Sequence, residues 1–88
     1  MNEKIFRLEI VTPKQTVFAG EVISLTAPGV LGYLGVLANH APLVTTLVPG
    51  KVTYREAAGV VTTLQSSGNG LLDVYHNQVT LLADQITS

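Results

Sequence analysis

The stretch from Val60 to Ala83 reads V-V-T-T-L-Q-S-S-G-N-G-L-L-D-V-Y-H-N-Q-V-T-L-L-A. Val60, Thr62 and Leu64 alternate with Val61, Thr63 and Gln65. Leu72 and Val74 oppose Asp73 and Tyr75, and Val79, Leu81 and Ala83 oppose Thr80 and Leu82. A period of two is that of a pleated strand, whose successive side chains point to opposite faces. The valines and threonines are stiff at χ1 and pack better on a pleated surface than along a helix. Gly68-Asn69-Gly70 and His76-Asn77 punctuate the runs with residues that suit turns. The stretch therefore predicts three strands joined by two turns.

The same alternation extends outward. Phe6, Leu8 and Ile10 alternate with Arg7 and Glu9; Ile23, Leu25 and Ala27 with Val22, Ser24 and Thr26; Val52 and Tyr54 with Thr53 and Arg55. Further turn signals stand at Thr12-Pro13, Ala19-Gly20, Pro28-Gly29, Pro49-Gly50 and Ala58-Gly59. Short strands between turns at roughly 8–12-residue intervals predict an all-β sandwich or barrel. The expectation is one domain over residues 1–88, with no linker and no substantial helix.

Composition narrows the function classes. The chain has 88 residues and is 47% hydrophobic, enough for one core; only 12% are charged, about half the usual share of roughly 25%. So little charge on a small domain points to a surface covered by a permanent partner. The five basic residues, Lys4, Arg7, Lys14, Lys51 and Arg55, form no stripe, which argues against nucleic acid. Cysteine is absent, so neither a disulfide framework nor a thiolate metal site can form. The opening Met1-Asn2-Glu3-Lys4 passes directly into a strand pattern and does not read as a secretory signal. No apolar run approaches the ~20 residues that span a bilayer. Work at a membrane would have to pass through another protein.

Reactive chemistry finds little support. A hydrolytic triad would need Ser66 or Ser67, His40 or His76, and Asp73 or Asp84 to converge, and nothing in their spacing argues for it. The two histidines lack any metal-ligand spacing. Gly29, Gly32 and Gly35 recur every third residue, yet no lysine-serine or lysine-threonine pair follows to hold a phosphate. No cofactor is expected.

Residues Pro28 to Leu43, P-G-V-L-G-Y-L-G-V-L-A-N-H-A-P-L, are rich in glycine and contain no charge. Val30, Leu31, Tyr33, Leu34, Val36 and Leu37 cannot all point inward from so bent a path. One reading is two short core strands joined by a tight turn. The other is a tip that offers apolar side chains to a neighbouring subunit, with the tyrosine ring buried there and its hydroxyl wet.

Gly32 to Leu43 in this segment resembles the pattern G-E-[LF]-G-[IV]-[LY]-P-G-H-A-P-L of the epsilon (delta/epsilon) family of F-type ATP synthase subunits. Leu8 to Pro13, Phe18 to Val22, Leu47 to Arg55, Gly70 to Val74 and Asn77 to Asp84 are similar to further family segments in the same order. The resemblance implies a flattened β-sandwich of about ten short strands, non-catalytic, at the foot of the rotor stalk. The implied partners are the gamma subunit and the membrane c-ring. The implied location is peripheral, on the cytoplasmic face of a bacterial inner membrane or its organellar equivalent. The sequence ends at Ser88, so the family's C-terminal helical hairpin, with its inhibitory and nucleotide-sensing roles, is not carried over.

Carried over by position, the c-ring contact falls on Gly29, Val30, Leu31, Gly32, Tyr33 and Leu34. The gamma contact falls on Thr12, His40, Ala41, Pro42 and Leu43. Tyr33 stands where the family often has glutamate, which makes that contact more apolar. Ala38-Asn39 replaces Pro-Gly, and asparagine can keep the left-handed turn. Asn69 likewise replaces a glycine of the family's L-S-G-G, at Ser67 to Gly70. Turn formation is an equal alternative for Thr12 and His40, and His76 reads as a solvated turn residue. The rival class is a free-standing β-sandwich module for peptide or carbohydrate. Three tyrosines and two phenylalanines, with no tryptophan, give it few residues for a binding platform.

Overall fold

The computed structural model describes residues 4–88; Met1 to Glu3, read above as leading into a strand, lie outside them. Seven strands follow in order: β1 (Phe6–Val11), β2 (Thr16–Gly29), β3 (Gly32–Val36), β4 (Leu43–Leu47), β5 (Gly50–Glu56), β6 (Val61–Tyr75) and β7 (Gln78–Thr87). The all-β expectation holds, but the count is seven rather than about ten. Two punctuation signals lie inside strands. Gly20 pairs with Leu8 in mid-β2, so Ala19-Gly20 is not a turn. Gly68-Asn69-Gly70 lies within the fifteen residues of β6.

The pairing shows why two long strands replace several short ones. The first half of β2 pairs with β1, while its second half pairs with β5 on one side and β3 on the other. Likewise β6 pairs first with β5, then with β7 and β4. Antiparallel partners, plus the one parallel pair β1–β7, close a ring β1-β7-β6-β5-β2. Closure occupies the edges that would otherwise recruit foreign strands. The ring is flattened to 38 × 24 × 19 Å, a thickness suited to two sheets packed about 10 Å apart with outer side chains.

Leu8, Ile10, Leu25, Leu47, Val52, Leu72 and Leu81 fill the space between the layers. Phase is kept in β1 and β5 as read from the sequence. In β2 it is not: Val22 and Ile23 are both buried, because the register slips between Val22 and Ser24. One extra residue there lets Val22 face the core before the bulge and Leu25 and Ala27 after it. A second bulge sits in β6. Gly68 and Asn69 stand opposite Asp84 alone, between the pairs Ser67–Gln85 and Gly70–Ala83. Gly68 has φ 75°, and the Asn69 N–H donates to Asp84 Oδ2 at 2.9 Å. A left-handed glycine followed by one unpaired residue is how a strand bends without ending. Val60, read in phase with Leu64, precedes β6 and is exposed with Val61, whereas Leu64 is buried.

Candidate functional site: an apolar tip and a clasped loop

The β2–β3 hairpin forms the tip. Gly29 pairs with Gly32, so only Val30 and Leu31 make the turn. Its backbone is anchored to β4: the Val30 N–H donates to the Thr46 carbonyl at 3.0 Å, and Val48 N–H to the Pro28 carbonyl at 2.9 Å. Gly29 is buried, and a Cβ there would lie 2.7 Å from Leu34 Cδ2 and 2.9 Å from the Gly32 carbonyl. The held backbone presents apolar side chains to solvent: Val30 is 56% exposed, Tyr33 60% and Leu31 99%. Val36 is buried and Leu34 packs partly against the core. Both readings of this segment thus apply, to different residues.

Tyr33 has a second task. Its hydroxyl accepts the Lys51 N–H at 2.8 Å, tying the tip to the start of β5. Gly29, Leu31, Tyr33, Leu34, Leu43 and Thr45 line a shallow cavity of ≈ 250 Å³ beside it.

The residues assigned to a gamma contact fall in two places. Thr12 closes the β1–β2 turn: Thr12 N–H donates to the Gln15 carbonyl at 2.9 Å, and Gln15 N–H reaches Thr12 Oγ1 at 3.3 Å. It borders a groove of ≈ 430 Å³ with Val11, Pro13, Leu71 and Leu82. His40, Ala41 and Pro42 instead line a polar cavity of ≈ 340 Å³ with Asn39, His76 and Asn77. Arg7 pairs with Gln78 and Val11 with Leu82, so the two places lie at opposite ends of β1. Leu43 opens β4 and packs partly against the core. His40 Nδ1 lies 2.7 Å from the Ala41 carbonyl, a contact that folds the ring onto its own loop.

Sequence reasoning missed the partner of that loop. Leu37 to His40 form a turn closed by the His40 N–H on the Leu37 carbonyl at 3.3 Å, with Asn39 at φ 66°. Asparagine keeps the left-handed position, as expected. Across from it, His76 and Asn77 have φ 49° and 59° between the paired Tyr75 and Gln78, the pattern of a two-residue type I′ hairpin. The Asn39 N–H donates to Asn77 Oδ1 at 2.6 Å, and Asn77 Nδ2 donates to Asn39 Oδ1 at 3.1 Å. Both asparagines are legible as turn formers; their mutual contact is not.

The groups weighed for a triad stay apart. Ser66 is buried on the core side of β6, whereas Asp73 is exposed on its outer side opposite Thr80. His76 lies edge-on to Tyr75. Among the described residues no three of His, Asp and Glu converge on a point, and no helix is long and apolar enough to cross a membrane.

Known proteins are similar to this chain in sequence and in fold. The ATP synthase epsilon chain of Moorella thermoacetica is 47% identical over 77 residues, covering 88% of this chain and 57% of its own length. That of Dichelobacter nodosus is 41% identical over 80 residues, covering 91% and 55%. The chain thus spans little more than half of these relatives. Among solved structures, a chain of the Euglena gracilis mitochondrial ATP synthase OSCP/F1/c-ring assembly superposes with a TM-score of 0.88. It covers 99% of this chain and 55% of its own length at 20% identity, a likeness of fold. A chain of the Tetrahymena thermophila mitochondrial ATP synthase central stalk/c-ring structure gives 0.82 at 15% identity, covering 100% and 69%. The profile of the ATP synthase delta/epsilon chain β-sandwich domain matches residues 5–88, and the chain belongs to that family.

Proposed function

We propose that this domain is a non-catalytic coupling piece of the rotor of an F-type ATP synthase, the β-sandwich of an epsilon subunit. It seats its Gly29–Leu34 tip on the c-ring and binds gamma through Thr12 and the His40–Leu43 loop. Its place is peripheral, at the cytoplasmic face of a bacterial inner membrane or the organellar equivalent. The observation that carries this is the tip: an uncharged hairpin, pinned by backbone bonds, with Leu31 99% exposed. A rigid backbone that leaves leucine in water suits docking, since little order has to be imposed when the partner arrives. The names of the relatives and the assemblies of the two solved structures support the same reading.

Area is consistent with two partners. The domain has 5284 Å² of accessible surface. Two standard interfaces taking about 800 Å² each from it would cover roughly three-tenths of that. The low charge content then has a cause.

The test is reconstitution of the 88-residue chain with purified gamma and c-ring. Binding to both is the expected result. Leu31→Asp should weaken c-ring binding by more than about tenfold, as for an apolar anchor made polar, with folding unchanged. Unaltered ring binding by that variant would remove the tip from the interface, and a chain indifferent to both neighbours would overturn the proposal.

A further inference from the structure

We infer that Asn77 is a positioning residue for the 37–42 loop, holding it in the shape that the gamma-facing residues His40 to Leu43 require. The inference rests on the function proposed above for that loop. Asn77 touches three elements. Its carbonyl accepts the Arg7 N–H at 2.9 Å at the start of β1. Its backbone closes the β6–β7 hairpin at φ 59°. Its side-chain oxygen takes the Asn39 N–H, and its amide nitrogen donates to Asn39 Oδ1.

Chemistry fixes the orientation of that side chain. A backbone N–H can only donate, so the oxygen of Asn77 must face it, which leaves the NH₂ for the Asn39 oxygen. The contact joins residues 38 positions apart. It holds the turn preceding His40 against the sheet end; among the described residues the loop's other hydrogen bonds are the His40–Leu37 backbone bond and the His40–Ala41 contact, and Ala38 packs partly against the core. Ala41 and Pro42 are exposed and contribute no burial of their own. Without the clasp the loop samples other shapes, and a partner that needs one of them binds more weakly by the lost population.

Asn77→Gly isolates the effect, because glycine keeps the left-handed backbone and the carbonyl bond to Arg7 while deleting both side-chain bonds. Asn39→Gly is the control: it keeps the turn and the N–H donor to Asn77 Oδ1 and loses one bond only. Two measurements are made on the 88-residue chain: hydrogen exchange of the Asn39 amide in the isolated protein, and binding to purified gamma. Asn77→Gly should speed Asn39 exchange and weaken gamma binding by about fivefold, the scale of one or two exposed hydrogen bonds. Amides of Val79 and Leu81 should be unchanged, and Asn39→Gly should bind within about twofold of the parent. Unchanged Asn39 exchange, or unchanged gamma binding by Asn77→Gly, overturns the inference. A parent chain that does not bind gamma overturns the functional reading and this docking role with it; exchange in the isolated protein tells that result from failure of the clasp itself.

Discussion

The β2–β3 tip and the 37–42 loop are held in opposite ways. The tip is fixed through its backbone: Gly29 pairs with Gly32 and Val30 bonds to Thr46. The side chains of its turn, Val30 and Leu31, are left free, and Leu31 meets almost only solvent. The loop is fixed through side chains, Asn39 and Asn77 across a gap in sequence. A turn held by its backbone can change the side chains of Val30 and Leu31 without changing shape, so its surface chemistry can vary. A loop held by two amides depends on those two residues. Placement of apolar surface and control of loop shape are thus separate devices in one small domain.

Four substitutions probe that contrast, each read by denaturant unfolding. Leu34→Asp should cost most, about 3 kcal/mol, since it puts a carboxylate into a side-chain position packed against the core. Leu34 was read from sequence as part of the c-ring contact; its partial packing against the core gives its replacement a folding cost as well. Gly29→Ala should cost about 2 kcal/mol, because the new methyl meets the Gly32 carbonyl, which cannot step aside without breaking the hairpin. A variant as stable as the parent would show that the tip is looser than its hydrogen bonds suggest. Tyr33→Phe should cost about 0.5–1 kcal/mol, the worth of an exposed hydrogen bond to the Lys51 N–H. Leu31→Asp should shift stability by less than about 0.5 kcal/mol, as a surface change does. A large loss there would mean that Leu31 packs in the free domain and that the contrast with the loop is false.

Much of the fold was legible along the chain. Phe6, Leu8 and Ile10, or Leu72 and Val74, declare their inward face by alternation alone, and the structure buries them. The uncharged, glycine-rich run left two readings open, core strands or an apolar tip, and only the hairpin pairing sorts Val36 inward and Val30, Leu31 and Tyr33 outward. Strand continuity was not legible either. Gly68-Asn69-Gly70 carries every local mark of a turn, yet Asp84 across the sheet takes the Asn69 N–H and the strand continues. The same holds at Val22 and Ile23, where the inserted residue exists only relative to the strand it faces.

Local sequence determined which side chains are apolar, where the left-handed positions can stand, and the period that makes every element a strand. These depend on sterics within a few residues. The tertiary structure alone decided that β2 and β6 bend through both layers, that Thr12 and His40 sit at opposite ends of β1, and that Asn39 meets Asn77. Each of these is a pairing between distant segments, and such a contact acquires an energy only when both partners have been brought to the same place.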